Sequence, residues 1–300
     1  MRNFVIVTDS CSDISRAVME KYSIDCLPQF FAYEDKSVET DTTWSKYTPR
    51  EFYDIMRGGA RVTTSQVTGA TFTEYFEKQI AEGNDVLYVA CSSALSASVE
   101  ASTVARDEVL ARHPEARIVC IDTLTACAGL AMLCEMAGKL RAEGKSLDEV
   151  AEWISANARC IHQEGTVDKL VYLKRAGRVS AASAFFGGLL NIKPIIIRDA
   201  CGRNAAVEKV KGRMTSFKRL IERFLEGYVP SDMPITIAHA DCIEDAEELK
   251  GMLAAALDEN DKTEIRIDYV GPMVGASVGP GMIGIYFYGK EVTYNAEENK

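Results

Sequence analysis

A strand that ends in two serines and passes directly into a helix constrains this chain more than any other feature. Residues 85–91 form an apolar run, Ser92 and Ser93 follow it, and helical periodicity begins at residue 96. In α/β proteins such a junction brings side-chain hydroxyls and free helix N–H groups to one point. The junction therefore predicts a site for an anionic headgroup, either a carboxylate or a phosphate.

The alternation of strands and helices continues along the chain and predicts an α/β fold with parallel βαβ units. Strands are predicted at residues 4–7, 24–32, 85–91, 117–121, 170–173, 194–198, 234–238, 264–270 and 283–288. Helices are predicted at residues 15–22, 49–57, 69–82, 96–112, 127–143, 146–160, 214–226 and 244–258. Capping boxes at 48–51 and 146–149 mark two of the helix starts.

A chain of 300 residues is long enough for about two domains. A weak boundary signal at Gly165 and Thr166 divides it into predicted α/β domains at residues 1–165 and 166–292. The polar stretch 33–48 is predicted to be a long surface loop. The apolar stretch 184–192, which contains two glycines, is either a core helix or backbone that an acyl chain can approach closely.

Charge and composition exclude several classes of partner. The net charge of −10 argues against nucleic acid and against anionic membrane surfaces, because both need a basic footprint. No apolar stretch approaches the roughly 18–20 residues that span a bilayer, so the chain is not expected to be an integral membrane protein. Its start shows no signal peptide. The nine cysteines form no CxxC pair, which predicts reduced, buried thiols in a cytoplasmic protein without a metal site.

Hydroxyl side chains supply the first candidate binding residues. Thr64 and Ser65 precede the helix predicted at residue 69, and Ser92, Ser93, Ser96 and Ser98 lie on the turn from the strand into the next helix. These residues are either ligand donors or helix caps, since one serine is enough for a cap. Strand ends of a parallel sheet converge on one edge, so Asp9, Ser93 and Asp122 are expected to share it.

A basic run from Lys174 to Arg178 stands out in an acidic protein. Arginine forks match phosphate geometry, so this run is either a phosphate or partner contact or a solvated turn.

Catalytic signatures are scarce. The three histidines have no HExxH motif, and neither a GxSxG elbow, a P-loop nor a GxGxxG fingerprint is present, which disfavours nucleotide enzymes. Two alternatives to a carrier stay open. One is a hydrolase or transferase of acyl or phosphoryl esters with Ser93 as nucleophile and His239 as base. The other is an interaction or scaffold protein.

Taken together and in order, these segments resemble the DegV family of bacterial lipid-binding proteins. The matching segments are VTDSCSDIS at 7–15, TTSQVT at 63–68, SSALSAS at 92–98, IDT at 121–123, LKRAGRVS at 173–180, LLNIKPIII at 189–197, GRMTSFKRLI at 212–221 and VGASVGPGMIG at 274–284. Each motif alone is weak, but the ordered set covers almost the whole chain.

The resemblance implies two α/β domains, the first with a mainly parallel, Rossmann-like sheet, and a lipid tunnel between them. It implies that one long-chain fatty acid binds there and that a separate ATP-dependent fatty acid kinase phosphorylates its carboxylate. By this resemblance, Thr64 and Ser93 hold the carboxylate, with Ser65, Ser92 and Ser277 as second choices. Arg178 and Lys174 are the candidates for kinase docking or phosphate contact.

The same resemblance implies no catalytic residue and no cofactor in this chain. Ser277 stands where the family motif before Gly-Pro-Gly usually has histidine. A serine can donate to a carboxylate, but it cannot carry a positive charge or act as a base near pH 7.

Overall fold

A computed structural model describes residues 3–40, 42–180 and 191–298. Its strands are β1 (Phe4–Asp9), β2 (Ile24–Leu27), β3 (Gln29–Tyr33), β4 (Lys36–Thr40), β5 (Thr63–Ser65), β6 (Asp85–Ala90), β7 (Ile118–Asp122), β8 (Ile161–Thr166), β9 (Val179–Ser180), β10 (Ile192–Arg198), β11 (Asn204–Lys211), β12 (Ile235–His239), β13 (Ile265–Tyr269) and β14 (Ile283–Tyr288). Its helices are α1 (Arg16–Tyr22), α2 (Pro49–Arg57), α3 (Gly69–Ala81), α4 (Ser98–Arg112), α5 (Cys127–Ala142), α6 (Leu147–Asn157), α7 (Leu170–Ala176), α8 (Arg213–Gly227), α9 (Ile243–Ala256) and α10 (Pro272–Val278). The α/β fold class predicted from the sequence is confirmed.

The first sheet is parallel throughout, with strand order β2-β1-β6-β7. Alternate residues of β6 face opposite sides. Val86 and Tyr88 pack with the side that α3 and α4 cover, whereas Leu87 and Val89 pack with the side that α5 and α6 cover. Both faces are therefore buried, which explains why the strand is a continuous apolar run. The predicted mainly parallel sheet is confirmed.

The second sheet is mixed, with strand order β13-β12-β14-β8-β10-β11-β9. Helices α8 and α9 cover one of its faces. The predicted domain boundary at residue 165 falls inside β8, all six residues of which pair with β14. The division into two domains near this point stays a prediction.

One hydrophobic core runs through both halves of the described chain. It contains Leu87 and Leu130 beside the parallel sheet, and Ile196 and Tyr286 from the face of the mixed sheet that α8 and α9 leave uncovered. Because the two sheets share this core, residues from both can line one cavity between them.

Helix starts are the local features that the sequence predicts best. The side chains of Thr48 and Ser146 accept from the N–H groups of Glu51 and Glu149, and each glutamate reaches back to its cap. Both predicted capping boxes are confirmed.

Several other predictions need correction. Residues 170–173 are not a strand but the start of α7, because Tyr172 and Leu173 pack against α10 at helical spacing. The stretch 33–48 is not all loop, since β4 pairs with β3 and its polar residues suit an exposed edge strand. Strand β11 and helix α10 had no sequence prediction. Residues 184–190 of the apolar stretch lie outside the described part of the chain.

A buried carboxyl group, that of Asp13, lies where the first half meets α10. A methyl group on Gly271 would lie 2.1 Å from Asp13 Oδ1, so the two residues are in close contact. Neither carboxylate oxygen has a hydrogen-bond partner of ordinary geometry among the described residues. Burial raises the pKa of Asp13 to about 7, although the nearby Cys127 thiol and Gly271 N–H act in the opposite direction.

This raised pKa makes stability depend on pH. The unfolded carboxyl has a pKa near 3.9, so the stability from keeping Asp13 protonated is lost as pH rises through about 4 to 7. Asp13→Asn keeps a neutral side chain of the same shape. In urea titrations, the free energy of unfolding of Asp13→Asn minus that of wild type should be about 2–3 kcal/mol larger at pH 8 than at pH 5. The exposed Asp107→Asn should show no such growth, and a constant excess for Asp13→Asn would contradict the assignment.

Candidate functional site

A cavity of about 410 Å³ lies where the strand ends of the parallel sheet, the mixed sheet and a third, three-stranded sheet of order β4-β3-β5 meet. Its polar lining residues are Gln29, Thr64, Ser65, Gln66, Ser96, Gln163, Arg178, Asn204 and Ser277. Its other lining residues are Cys11, Cys91, Leu95, Ala97, Ala126, Cys127, Met273, Val274, Val278, Met282 and Tyr286. Its volume and mixed lining are those of a small-molecule site, apolar with a few polar groups.

Two of the elements that the sequence did not resolve bring hydroxyl groups to this cavity. Thr64 and Ser65 lie on β5, which pairs with β3 so that Thr64 is opposite Phe31. Ser277 lies on α10, which the Gly-Pro-Gly turn follows. The structure thus brings Thr64, Ser65 and Ser277 together at one cavity, although Ser277 is far from the other two in the sequence.

The serine pair after β6 has a different position. Ser92 is buried, and its hydroxyl donates to the carbonyl oxygen of Gly202 at 2.9 Å. The exposed Ser93 donates through its hydroxyl to Asp122 Oδ2 at 2.5 Å. Neither residue lines the cavity, whereas Ser96 of the same turn does. The sequence analysis considered Ser96 among the hydroxyls of this turn but chose Ser92 and Ser93 as the binding residues, because spacing does not show which serine of a turn faces inward.

Asp9 fixes the edge of the parallel sheet beside the cavity. Its fully buried carboxylate accepts from the Tyr88 hydroxyl at 2.6 Å and from the N–H groups of Cys11 and Cys91 at 2.9 and 3.3 Å. Burial raises the pKa of Asp9, while these hydrogen bonds lower it. Asp122 similarly holds the N–H of Ser93. The predicted shared edge of Asp9, Ser93 and Asp122 is confirmed.

Three thiols make part of the cavity surface weakly polar. Cys11, Cys91 and Cys127 are buried, and their pKa values are raised. Burial is the largest cause for Cys127, whereas for Cys11 it is the contact with the Cys91 thiol. Protonated thiols behave as small hydrophobic groups. None of the nine cysteines forms a disulfide, as the sequence predicted, although five of them are only partly buried.

A second, smaller cavity of about 240 Å³ opens beside the first. The two share Thr64, Arg178 and Ser277, and these three residues are called the neck below. Arg61 and Arg175 also line the outer cavity, whose described lining contains no aspartate or glutamate. Lys174 is exposed on α7 next to Arg175 but lines neither cavity.

The structure does not bring Ser93 and His239 together as a nucleophile and base. Ser93 is bonded to Asp122. His239 is fully buried, accepts from the N–H of Cys242 at 3.1 Å, and packs against Tyr269 at a ring distance of 4.4 Å. Burial also lowers the pKa of His239.

Neither a metal site nor a membrane span is found in the part of the chain that the structure describes. No group of three or more His, Cys, Asp or Glu side chains there could hold a metal ion. None of its helices has both the length and the apolar character needed to cross a bilayer.

The fold and the cavity define an α/β protein that encloses a cavity of small-molecule size where its sheets meet. Residues 3–290 match the profile of the family described as "Uncharacterised protein, DegV family". A DegV domain-containing protein of Clostridium perfringens is 37% identical over 96% of this chain and 98% of that protein. The chain belongs to the DegV family.

Solved structures of the family share this fold. A DegV family protein from Thermus thermophilus, described as binding fatty acid, is 26% identical with a TM-score of 0.85 over 96% of this chain and all of that one. A DegV lipid-binding protein from Thermotoga maritima is 25% identical with a TM-score of 0.83 over 97% of this chain and all of that one.

The packing of α10 against α7 can be tested at Gly279, which follows α10 with a φ of 75°. A methyl group there would lie 2.1 Å from Tyr172 Cδ2. Gly212 is a matched control, because its φ of 90° and ψ of 153° are close to the 75° and 170° of Gly279, and an added methyl group would meet atoms only at 3.8 and 4.0 Å. In thermal or urea unfolding, Gly212→Ala should lose about 1–3 kcal/mol from backbone strain. Gly279→Ala should lose about 1–3 kcal/mol more from overpacking, and equal losses would contradict the close contact.

Proposed function

We propose that this protein binds one long-chain fatty acid in the 410 Å³ cavity and presents its carboxylate at the neck to a separate ATP-dependent fatty acid kinase. The observation that carries the proposal is one cavity that combines apolar and thiol side chains with neutral polar groups and has two hydroxyl groups at its neck. Relatives of the same fold, at 25–26% identity, are described as binding lipid or fatty acid.

Burial of the acyl chain supplies the free energy of binding. Each buried CH₂ group contributes about 0.8 kcal/mol, so a chain of about sixteen carbons exceeds the cost of association. Leu95, Val274, Val278 and Met282 supply much of the apolar surface for that chain.

The carboxylate needs only a few neutral donors. Thr64 and Ser277 at the neck, with Ser65 and Ser96 close by, offer hydroxyl groups to it. A buried carboxylate with two or three such donors stays ionised, whereas one without donors would be driven toward its neutral form. The hydroxyls of Ser92 and Ser93 are engaged with Gly202 and Asp122, so we assign them the positioning of the turn after β6.

The kinase is proposed to approach from the outer cavity. The side chains of Arg61 and Arg175 in that cavity suit a phosphoryl group or an acidic surface, and Arg178 lines both cavities. In this arrangement the protein carries the substrate and performs no catalysis, which fits the position of His239, whose buried ring accepts from Cys242 instead of meeting Ser93. Nine cysteines without a disulfide suit a reducing compartment, and we propose the cytoplasm as the location of this protein.

Removing the neck hydroxyls tests the headgroup assignment. A hydrogen bond to a charged group contributes about 1.5–3 kcal/mol, so Thr64→Val with Ser277→Ala should weaken fatty acid binding at least roughly 100-fold. The measurement is titration of the delipidated protein with hexadecanoic acid, with Thr71→Val as control. Full affinity in the double variant would refute the headgroup site. A wild-type protein that carries no lipid after expression in bacteria and binds none when it is added would refute the function itself.

Substitution of Lys174 tests the docking of the kinase. Lys174→Gln removes an exposed charge next to the outer cavity without touching the lining of either cavity. With the fatty acid kinase of the same organism, the KM for the loaded protein should rise severalfold while the Kd for fatty acid stays constant. Lys145→Gln, on the helix α6 side, should change neither value. An unchanged KM for Lys174→Gln would remove this residue from the docking surface.

A further inference from the structure

One buried polar side chain of the inner cavity, that of Gln29, has no part in the function proposed above. Gln29 begins β3, is 1% exposed and lines the inner cavity but not the outer one. Its side chain lies in the inner cavity next to the thiol of Cys11.

Neighbouring residues hold Gln29 in one orientation. The hydroxyl of Ser10 accepts from its backbone N–H at 2.9 Å, and the hydroxyl of Thr40 donates to its carbonyl oxygen at 3.2 Å. The protonated thiol of Cys11 donates to the side-chain Oε1 at 3.2 Å. These contacts occupy the backbone and the amide oxygen. In the described part of the chain, nothing accepts a hydrogen bond from the amide nitrogen.

An amide nitrogen that faces only hydrocarbon loses its hydrogen bonds to water without replacement. An acyl chain alone would leave this donor unpaired, whereas a ligand oxygen within reach would pair it. The ligand of this cavity therefore needs an oxygen atom near Gln29.

The carboxylate of the proposed fatty acid can supply this oxygen. Side chains alternate along β3, so Gln29 and Phe31 point to the same face, and Thr64 on β5 lies opposite Phe31. Gln29 and Thr64 are thus diagonal neighbours on one face, roughly 7 Å apart, within reach of a long side chain. A carboxylate held by Thr64 lies where the Gln29 amide can donate to it.

We propose that Gln29 is a specificity-determining residue of the headgroup site, whose amide donates to a carboxylate oxygen of the bound fatty acid. This inference rests on the fatty acid binding proposed above. It assigns to the site a preference for an acceptor-only headgroup, a carboxylate, over a hydroxyl or amide of the same chain length.

Headgroup selectivity separates this role from simple packing. Gln29→Met keeps the size and shape of the side chain and removes its donor. The delipidated variant should lose at least tenfold in affinity for hexadecanoic acid and much less for hexadecanol, so that the preference for the acid falls. A packing role would weaken both ligands equally, and an unchanged acid-to-alcohol ratio would overturn the proposal.

A second variant decides the matter even if Gln29→Met does not fold. Gln29→Glu is isosteric and places acceptor oxygens opposite the carboxylate, so it should reject hexadecanoic acid and favour hexadecanamide, which can donate. Retention of the acid preference in Gln29→Glu would also overturn the proposal. Gln79→Met, at a buried glutamine of α3 outside the cavity, should keep the selectivity of wild type. Failure of the wild type to bind hexadecanoic acid would instead refute the fatty acid function, so the two failures are distinguishable.

Discussion

The carboxylate of Asp9 ties together the ends of the two central strands of the parallel sheet. It accepts hydrogen bonds from the chain just after β1, from the chain just after β6 and from the hydroxyl of Tyr88. Without this carboxylate, these buried donors would be unpaired at the point where the segments after β1 and β6 turn toward the cavity. The positions of Cys11, Cys91 and the serine turn that follows all depend on this one group.

The cavity achieves polarity almost entirely with neutral groups. Hydroxyls, amides and thiols line its interior, and Arg178 at the neck is its one charged lining residue in the described chain. Neutral donors stabilise a carboxylate without the desolvation cost of a buried ion pair. Arg61 and Arg175, which line the outer cavity, instead remain exposed, where they can meet an incoming negative charge.

How much the sequence predicts depends on the range of the interaction. The capping boxes and the parallel sheet follow from neighbouring residues and strand periodicity, and both are confirmed. Helix α7 was predicted as a strand because four apolar residues fit either period, and its packing against α10 decides between them. The inward position of Ser96 and the orientation of Gln29 depend on contacts between strands and turns that are distant in sequence, which no local pattern records. Ser92 and Ser93 were predicted as ligand donors from the same local pattern. The groups that their hydroxyls contact, Gly202 and Asp122, lie on segments distant in sequence, which the pattern does not show.

Thr64, Arg178 and Ser277 are the only residues that the inner and outer cavities share in the described chain. A partner that reaches the ligand through this neck meets the headgroup and no other part of the molecule. Under the proposed function, such a partner would distinguish the loaded protein from the empty one but would not recognise the length or saturation of the acyl chain. The residues of the inner cavity could then differ between related proteins that bind different lipids, while the same enzyme recognised all of them.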